Sequence, residues 1–150
     1  AKCNFFITSG TGLDGVAEIF RRPIIWVNLV PFENFHTWSP NDLFICKKHW
    51  LTEQNRFMTF REILDSGAGR FNRTEQYEDL GIEIIDNSPE EITALVTEMH
   101  LRLSGTWQSS ADAEELQQRF RSLLETSDRH GEIRSRMGSD FLSQNREMLD

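Results

Sequence analysis

Two short apolar runs near the start of the chain have the pattern of strands that are buried on both faces. Residues 5–8 are nearly all apolar and end at Ser9-Gly10. Residues 24–28 are rich in β-branched and aromatic side chains, and Pro31 stops the run. The pattern therefore predicts two buried strands within the first thirty residues.

The segment between these strands predicts a helix. Thr11 and Asp14 have the spacing of a capping box at its start, and Pro23 blocks its continuation. Because a right-handed crossover joins consecutive strands of this kind, the two strands are predicted to be parallel. Four apolar residues recur at helical spacing and are expected to face the sheet, namely Leu13, Val16, Ala17 and Phe20.

The middle of the chain has less regular patterning. Residues 31–55 are aromatic and polar, apart from a short apolar run at 43–46, and predict a long loop. Thr59 and Glu62 predict the start of a short helix, residues 67–73 predict an exposed turn, and residues 82–86 predict a third strand.

The remainder of the chain is mostly helical. Ser88, Pro89 and Glu91 form a helix start that is followed by apolar residues at helical spacing up to Leu103. A second helix is predicted from Ser110, a polar linker at residues 126–138, and a last short helix from Ser139. The length allows one modest core, so we divide the chain into an α/β domain at 1–125 and a linker with a C-terminal helix at 126–150.

Charge and cysteine content exclude several classes of protein. The net charge of −8 is uneven, because residues 1–50 carry +1 and residues 51–150 carry −9. This argues against nucleic-acid or anionic-membrane binding by the C-terminal part, and makes the first third the less costly place for an anionic ligand. No apolar stretch approaches the ~20 residues that cross a bilayer, so no transmembrane helix is predicted.

Two further features bear on the setting of the protein. Cys3 and Cys46 are far apart, which is typical of reduced thiols in a cytoplasmic protein, although association of the intact protein with a membrane surface stays open. The chain opens without Met or a signal segment, so we expect it to be part of a longer protein.

The loop at residues 8–15 is the main candidate for chemistry, because it joins the carboxyl end of a parallel strand to a helix N-terminus. Backbone N–H groups and the helix dipole favour phosphate there. Gly10 and Gly12 allow the backbone to approach a ligand, and the hydroxyls of Thr8, Ser9 and Thr11 can donate to phosphate oxygens. The alternative is a tight glycine turn with a capped helix and no ligand.

A dinucleotide-binding alternative follows from the same loop. Gly10, Gly12 and Gly15 satisfy the pattern GxGxxG. That site needs an acidic residue at the end of the next strand for the ribose hydroxyls, but this position holds Asn28, and Glu33 lies beyond the strand. The sequence therefore favours phosphate binding over dinucleotide binding.

Five blocks of the sequence are distributed between residues 5 and 149: FFITSGTGLDGVAEIFRRPIIWVNLVP, ICKKHW, RFMTFREIL, YEDLGIEIIDNSPEEI and RSRMGSDFLSQNREML. These blocks resemble the C-terminal part of a bacterial family of glycosyltransferases assigned to surface-polysaccharide biosynthesis. More distantly, the chain is similar to glycosyltransferases of the GT-B type and to nucleotide-sugar epimerases.

The resemblance implies a fold and a partner. The fold class is α/β, as the three-layer Rossmann-like C-terminal half of a GT-B enzyme, with an incomplete parallel sheet, C-terminal helices and a partial nucleotide-sugar-binding domain at 1–125. The three strands would be neighbours in one parallel sheet, and the first would have an exposed apolar edge that lowers solubility. A missing N-terminal half would bind the acceptor, and the final helix would pack towards it.

The resemblance also implies a donor site. The substrate would be a nucleotide diphosphate sugar with no further cofactor, and this chain alone would bind it weakly and catalyse nothing. Asp14 and Glu18 are both candidates to hold the ribose hydroxyls. The positions that match the diphosphate-binding turn are Ser9, Gly10, Thr11 and Gly12, followed by Arg22-Pro23.

Three further residues are candidates for ligand contacts. Lys47 and Lys48 can reach donor phosphates as point charges, or form a solvated pair at the end of a loop. His36 can face the cleft as a polar contact or an acid, or lie on a surface loop. The other histidines have no partners at ligand spacing, so no metal site is predicted: His49, His100 and His130.

Overall fold

The computed structural model describes residues 3–125 and 131–150. The strands are β1 (Phe6–Thr8), β2 (Ile24–Leu29), β3 (Leu43–Cys46), β4 (Lys48–Leu51), β5 (Arg56–Phe57), β6 (Ile82–Ile85) and β7 (Arg136–Met137). The helices are α1 (Asp14–Ile19), α2 (Phe60–Asp65), α3 (Thr74–Glu78), α4 (Pro89–Leu103), α5 (Ala111–Leu124) and α6 (Ser139–Gln144). Short 3₁₀ turns lie at Phe32–Asn34, Ala68–Arg70 and Arg146–Leu149.

A parallel sheet with the strand order β1-β2-β3-β7 forms the centre of the fold. Thr8 at the end of β1 lies opposite Trp26 of β2, and an irregularity between Trp26 and Leu29 interrupts the pairing of β2 with β3. Three predictions from the sequence are confirmed: the α/β class, the parallel pairing of the first two strands and the edge position of β1.

The prediction of a long loop at residues 31–55 is wrong, since this segment contains β3 and β4. β3 is the apolar run at 43–46, and all four of its residues are buried. A strand that is buried on both faces lacks the alternation that marks strands in sequence, and four apolar residues alone do not distinguish a strand from a loop that covers the core. Lys47 is the single residue between β3 and β4.

The third predicted strand exists, but its expected place in the parallel sheet is wrong. β6 pairs antiparallel with β4, and β4 pairs antiparallel with β5, so these strands form a second sheet with the order β5-β4-β6. The pattern of residues 82–86 identifies a strand, but it carries no information about the partner. Because β4 follows β3 directly, the chain passes from the parallel to the antiparallel sheet at Lys47.

Helices cover both faces of the parallel sheet. On one face, Phe44 of β3 contacts Phe35, which follows the first 3₁₀ turn, and Phe120, which lies in α5. Adjacent residues of a strand point to opposite faces, so Ile45 points to the other face, where α4 packs against β2 and β3. Gly138 leaves room for this packing, because a Cβ atom there would lie 2.7 Å from Leu95 of α4.

The predicted start and apolar face of α1 are both wrong. The helix begins at Asp14 without a side-chain cap, so the Thr11 and Asp14 capping box does not form. Ala17 is buried, but Leu13, Val16 and Phe20 are more than half exposed. In contrast, the capping boxes at the starts of α2 and α4 are confirmed.

The C-terminal segment is part of the core. Residues 136–137 form β7 instead of continuing the predicted linker, of which residues 126–130 lie outside the described residues. The predicted helix at Ser139 is confirmed as α6, which packs against α4 and α5. Its packing towards an N-terminal half stays a prediction. The buried residues that attach this segment are Phe141, Leu142, Met148 and Leu149. None of the helices in the described ranges is both long and apolar enough to span a membrane.

Candidate functional site

The glycine loop lies at the carboxyl edge of the parallel sheet, directly after β1. Gly10 and Gly12 have φ values of +85° and +87°, which side-chain-bearing residues rarely adopt, so both positions favour glycine. A Cβ atom at either position would have no neighbour within 4 Å, and Ser9 and Thr11 are exposed. The loop backbone is therefore open to a ligand on the side that faces solvent.

Two hydrogen bonds fix the conformation of this loop. The amide of Gly10 donates to Thr8 Oγ1 at 3.0 Å, and the amide of Gly12 donates to Asp14 Oδ1 at 2.8 Å. Thr8 is buried and acts within the turn, whereas Thr11 has no hydrogen-bond partner among the described residues. The carboxylate of Asp14 adds a negative charge beside the loop, which opposes a bound phosphate.

A cavity of about 630 Å³ lies at the same edge of the parallel sheet. Val30 follows β2 and Lys47 follows β3, and both line the cavity. Its other walls come from α3 with the turn before it and from β6. Ligands of open α/β sheets bind outside the carboxyl ends of the strands, and this cavity has that position.

The loop and the cavity are neighbours along the carboxyl edge but do not coincide. Thr8 pairs with Trp26, whereas β2 continues for three residues to Leu29 before Val30 reaches the cavity. Val30 is four residues beyond Trp26, so at 3.3 Å per residue the cavity lies roughly 13 Å further along the strand direction. An elongated ligand along this edge can contact both, but a compact one cannot.

The two candidate lysines have different environments. Lys47 Nζ lies 2.7 Å from Asp86 Oδ1, and Lys47 also lines the cavity, so it is placed to contact a ligand there. Lys48 Nζ lies 2.8 Å from Glu91 Oε1, and both side chains are largely buried. Because Glu91 also forms the capping box of α4, Lys48 fixes the start of that helix. The structure therefore keeps Lys47 as a candidate and gives Lys48 a structural role.

Glu18 and His36 are brought together. His36 Nδ1 lies 2.8 Å from Glu18 Oε1, and the imidazole ring lies between Trp26, in an edge contact, and Trp38, in a stacked contact. This pair links α1 to the segment after β2. It does not line the cavity at the carboxyl edge, so neither residue is placed there to contact a ligand.

A smaller cleft of about 240 Å³ is lined by Glu18, Arg21, Trp38 and Asp42. It lies at the amino edge of the sheet, where Asp42 Oδ1 accepts a hydrogen bond of 2.9 Å from the amide of Ile24, the first residue of β2. Burial raises the pKa of Asp42, and the hydrogen bond from the Ile24 amide partly offsets it. Glu18 therefore belongs to the edge opposite the glycine loop.

Asn28, which occupies the position of the ribose-binding acid in the dinucleotide alternative, has a structural role. Its amide donates to Asn87 Oδ1 at 2.7 Å, and the amide of Asn87 donates to Asn28 Oδ1 at 2.6 Å. Asn87 Nδ2 also donates to the carbonyl of Cys46. This network joins β2, β3 and the start of α4, so Asn28 is not free to hold a ribose.

Metal ligands do not gather in the described residues, where no group of three or more His, Cys, Asp or Glu side chains has a metal-binding arrangement. His49 is fully buried in β4 beside Tyr77, at a ring-centroid distance of 5.6 Å. His100 is exposed on α4, and His130 lies outside the described residues.

Sequence reasoning missed three cavity residues that lie in and after the predicted exposed turn: Asn72, Arg73 and Thr74. Arg73 is exposed at the rim and has no ion-pair partner among the described residues. The sequence signal for these residues is a basic side chain next to a hydroxyl at the start of a short helix. The sequence does not show that this turn borders the carboxyl ends of β2 and β3.

Comparisons of the chain with protein-family models, with curated proteins and with solved structures find no match.

Proposed function

We propose that this chain is the donor-binding unit of a glycosyltransferase that moves a sugar from a nucleotide diphosphate sugar to an acceptor hydroxyl. The observation that carries the proposal is the open loop with left-handed Gly10 and Gly12 at the carboxyl end of β1, beside the cavity at the ends of β2 and β3. The diphosphate would lie on the loop, and the rest of the donor would extend towards Lys47 and Arg73.

The reaction follows from this placement. The acceptor oxygen forms a bond to the anomeric carbon, while the bond from that carbon to the diphosphate oxygen breaks. The electron pair stays on the diphosphate, whose growing charge the amides and hydroxyls of Ser9 and Thr11 would stabilise, since the Gly10 and Gly12 amides donate within the loop. The acceptor and the base that takes its proton would come from an N-terminal half that faces the same edge.

Two features set the expected affinity. The described residues place no unpaired cation on the loop itself, and Asp14 contributes a negative charge next to Gly12. Helix α1 has only six residues, which limits its dipole. Two loop amides are also engaged within the loop, so binding of a nucleotide by this chain alone is expected to be weak.

The alternatives have less support. A dinucleotide-binding module needs a ribose contact at the position of Asn28, which is engaged with Asn87. A nucleotide-sugar epimerase needs an acid and a base around one sugar, and the Glu18 and His36 pair lies away from the cavity. A non-catalytic module predicts that changes in the glycine loop alter stability alone.

Calorimetric titration with UDP, GDP and CMP tests the proposal. We expect weak, selective binding of one nucleotide by the wild-type chain. Gly12→Asp places a carboxylate in the phosphate site and is expected to weaken this binding at least tenfold. Asp14→Asn keeps the acceptor for the Gly12 amide but removes the charge, so it is expected to strengthen diphosphate binding if the loop holds the diphosphate.

Gly105→Asp is the matched control for backbone strain and charge. Gly105 has a φ of +73° and open space around it, in the connection between α4 and α5. The folded state of each variant is checked by circular dichroism. The proposal fails if no nucleotide binds the wild-type chain, or if Gly12→Asp and Gly105→Asp bind equally well.

A further inference from the structure

Exposed apolar side chains are concentrated at one end of the parallel sheet. In the described parts of the chain, eight large apolar residues are exposed, and five of them lie within residues 7–20. Ile19 is 78% exposed, the most of the eight. We define the β1–α1 patch as these five residues: Ile7, Leu13, Val16, Ile19 and Phe20.

The patch faces outward beyond β1. Glu18 reaches His36, which lies against Trp26 of β2, so this flank of α1 is turned towards the interior of the sheet. At 100° per residue, Val16 and Phe20 lie on the other side of the buried Ala17. They therefore lie on the flank of α1 that is nearer the open edge of β1, whose outer backbone groups have no partner strand among the described residues.

The area of the patch is sufficient for a stable contact. With about 150–200 Å² for each large apolar side chain and exposed fractions between 45% and 78%, the five residues present roughly 500 Å². Two such surfaces together bury roughly 1,000 Å² before any polar rim is added, which reaches the lower limit for specific interfaces. The largest apolar patch on a typical monomer measures about 300–600 Å² and is often functional, and this patch lies in that range.

We propose that two copies of this chain associate through the β1–α1 patch, with their β1 edges paired antiparallel about a two-fold axis and their α1 helices in contact. A two-fold contact uses the same surface on both copies. Head-to-tail extension needs the opposite edge, where β7 has only two residues. The patch also lies in the near-neutral third of the sequence, so the charge of −8 is concentrated elsewhere.

Sedimentation equilibrium of the 150-residue chain tests this proposal. The wild type is expected to show a concentration-dependent monomer–dimer equilibrium that higher salt strengthens, because salt screens repulsion between the two negative chains. Ile19→Lys and Val16→Lys place a charge in the contact and are expected to weaken association at least tenfold. Leu80→Lys, at a residue that is 49% exposed outside the patch, is the matched control and is expected to dimerise as the wild type does.

Hydrogen exchange at several protein concentrations locates the contact. Peptides that contain β1 and α1 are expected to gain protection as the concentration rises, whereas peptides from α3 are not. A wild type that stays monomeric overturns the proposal, as does a dimer that Ile19→Lys leaves intact or one that adds no protection at β1. Association that continues beyond two copies also contradicts it, because the two-fold contact is closed.

Discussion

Replacing Glu98 with alanine is expected to lower the free energy of unfolding by about 3 kcal/mol, because a buried carboxylate with three partners is lost. The Glu98 side chain is 2% exposed. Its oxygens accept hydrogen bonds from the Ser139 amide at 2.8 Å, from the Ser139 hydroxyl at 3.1 Å and from Arg102 Nε at 2.9 Å. The variant leaves the first turn of α6 without these contacts.

Hydration of Arg102 limits the loss of stability in the Glu98→Ala variant. Its side chain is 25% exposed and lies over the ring of Trp107, so it regains part of its hydration and keeps the aromatic contact. Glu98→Gln keeps the shape of the side chain and one acceptor oxygen. It is expected to lower the free energy of unfolding by about half as much as Glu98→Ala does. Denaturant unfolding measures both variants, with Glu115→Ala on the exposed side of α5 as control. A loss below about 1 kcal/mol for Glu98→Ala contradicts this role.

Acidification from pH 6.5 to pH 4 is expected to destabilise the wild-type chain by about 3 kcal/mol more than a His49→Leu variant. Burial lowers the pKa of His49 to about 4 from 6.5, and the backbone of Lys47 offsets this only in part. Below pH 6.5 the unfolded chain takes up a proton on this ring, whereas the folded chain does not do so until about pH 4. Stability due to His49 is therefore complete above pH 6.5 and falls across this window.

The comparison between the two chains isolates this effect, because aspartates and glutamates also titrate near pH 4 in both. His49→Leu replaces this fully buried ring with an apolar side chain of similar volume that does not titrate. Urea unfolding at a series of pH values provides the measurement, and His100→Leu, at an exposed position, is the control. Equal pH dependence of the wild type and His49→Leu would show that His49 is not buried in its neutral form.

Local features of the fold were predictable from sequence. The capping boxes at Thr59 and Ser88 depend on residues three positions apart, and both helices begin as predicted. The parallel pairing of β1 and β2 also follows from the chirality of a single crossover. These predictions hold because the interactions that determine them lie within short segments of chain.

Predictions that depend on distant segments were less successful. Residues 82–86 read correctly as a strand, but their partner is β4, which was hidden within the predicted loop. Glu98 lies four residues before Arg102 in sequence, which does not show that it accepts a hydrogen bond from the first residue of a helix that begins 41 residues later. The exposure of the apolar residues of α1 was also not predictable, because helical spacing identifies an apolar stripe but not the segment that covers it.

In the candidate site, too, local features were predictable from sequence and contacts between distant segments were not. The need for glycine at positions 10 and 12 is visible in sequence, and the positive φ values agree with it. The partners of Lys47 and Lys48 were not predictable, since Asp86 and Glu91 come from a segment about forty residues away. Arg73 lines the cavity from a turn that the sequence predicts only to be exposed, so its place in the cavity was also not predictable.

The most direct test of the proposed donor site is a titration of the ¹⁵N-labelled chain with UDP, GDP and CMP, followed by amide chemical shifts. The proposal predicts that one nucleotide shifts the amides of Ser9, Thr11 and Gly12 together with those of Lys47 and Arg73, with a common dissociation constant. No saturable shift with any nucleotide, or shifts confined to residues away from the carboxyl edge of β1, β2 and β3, would contradict it.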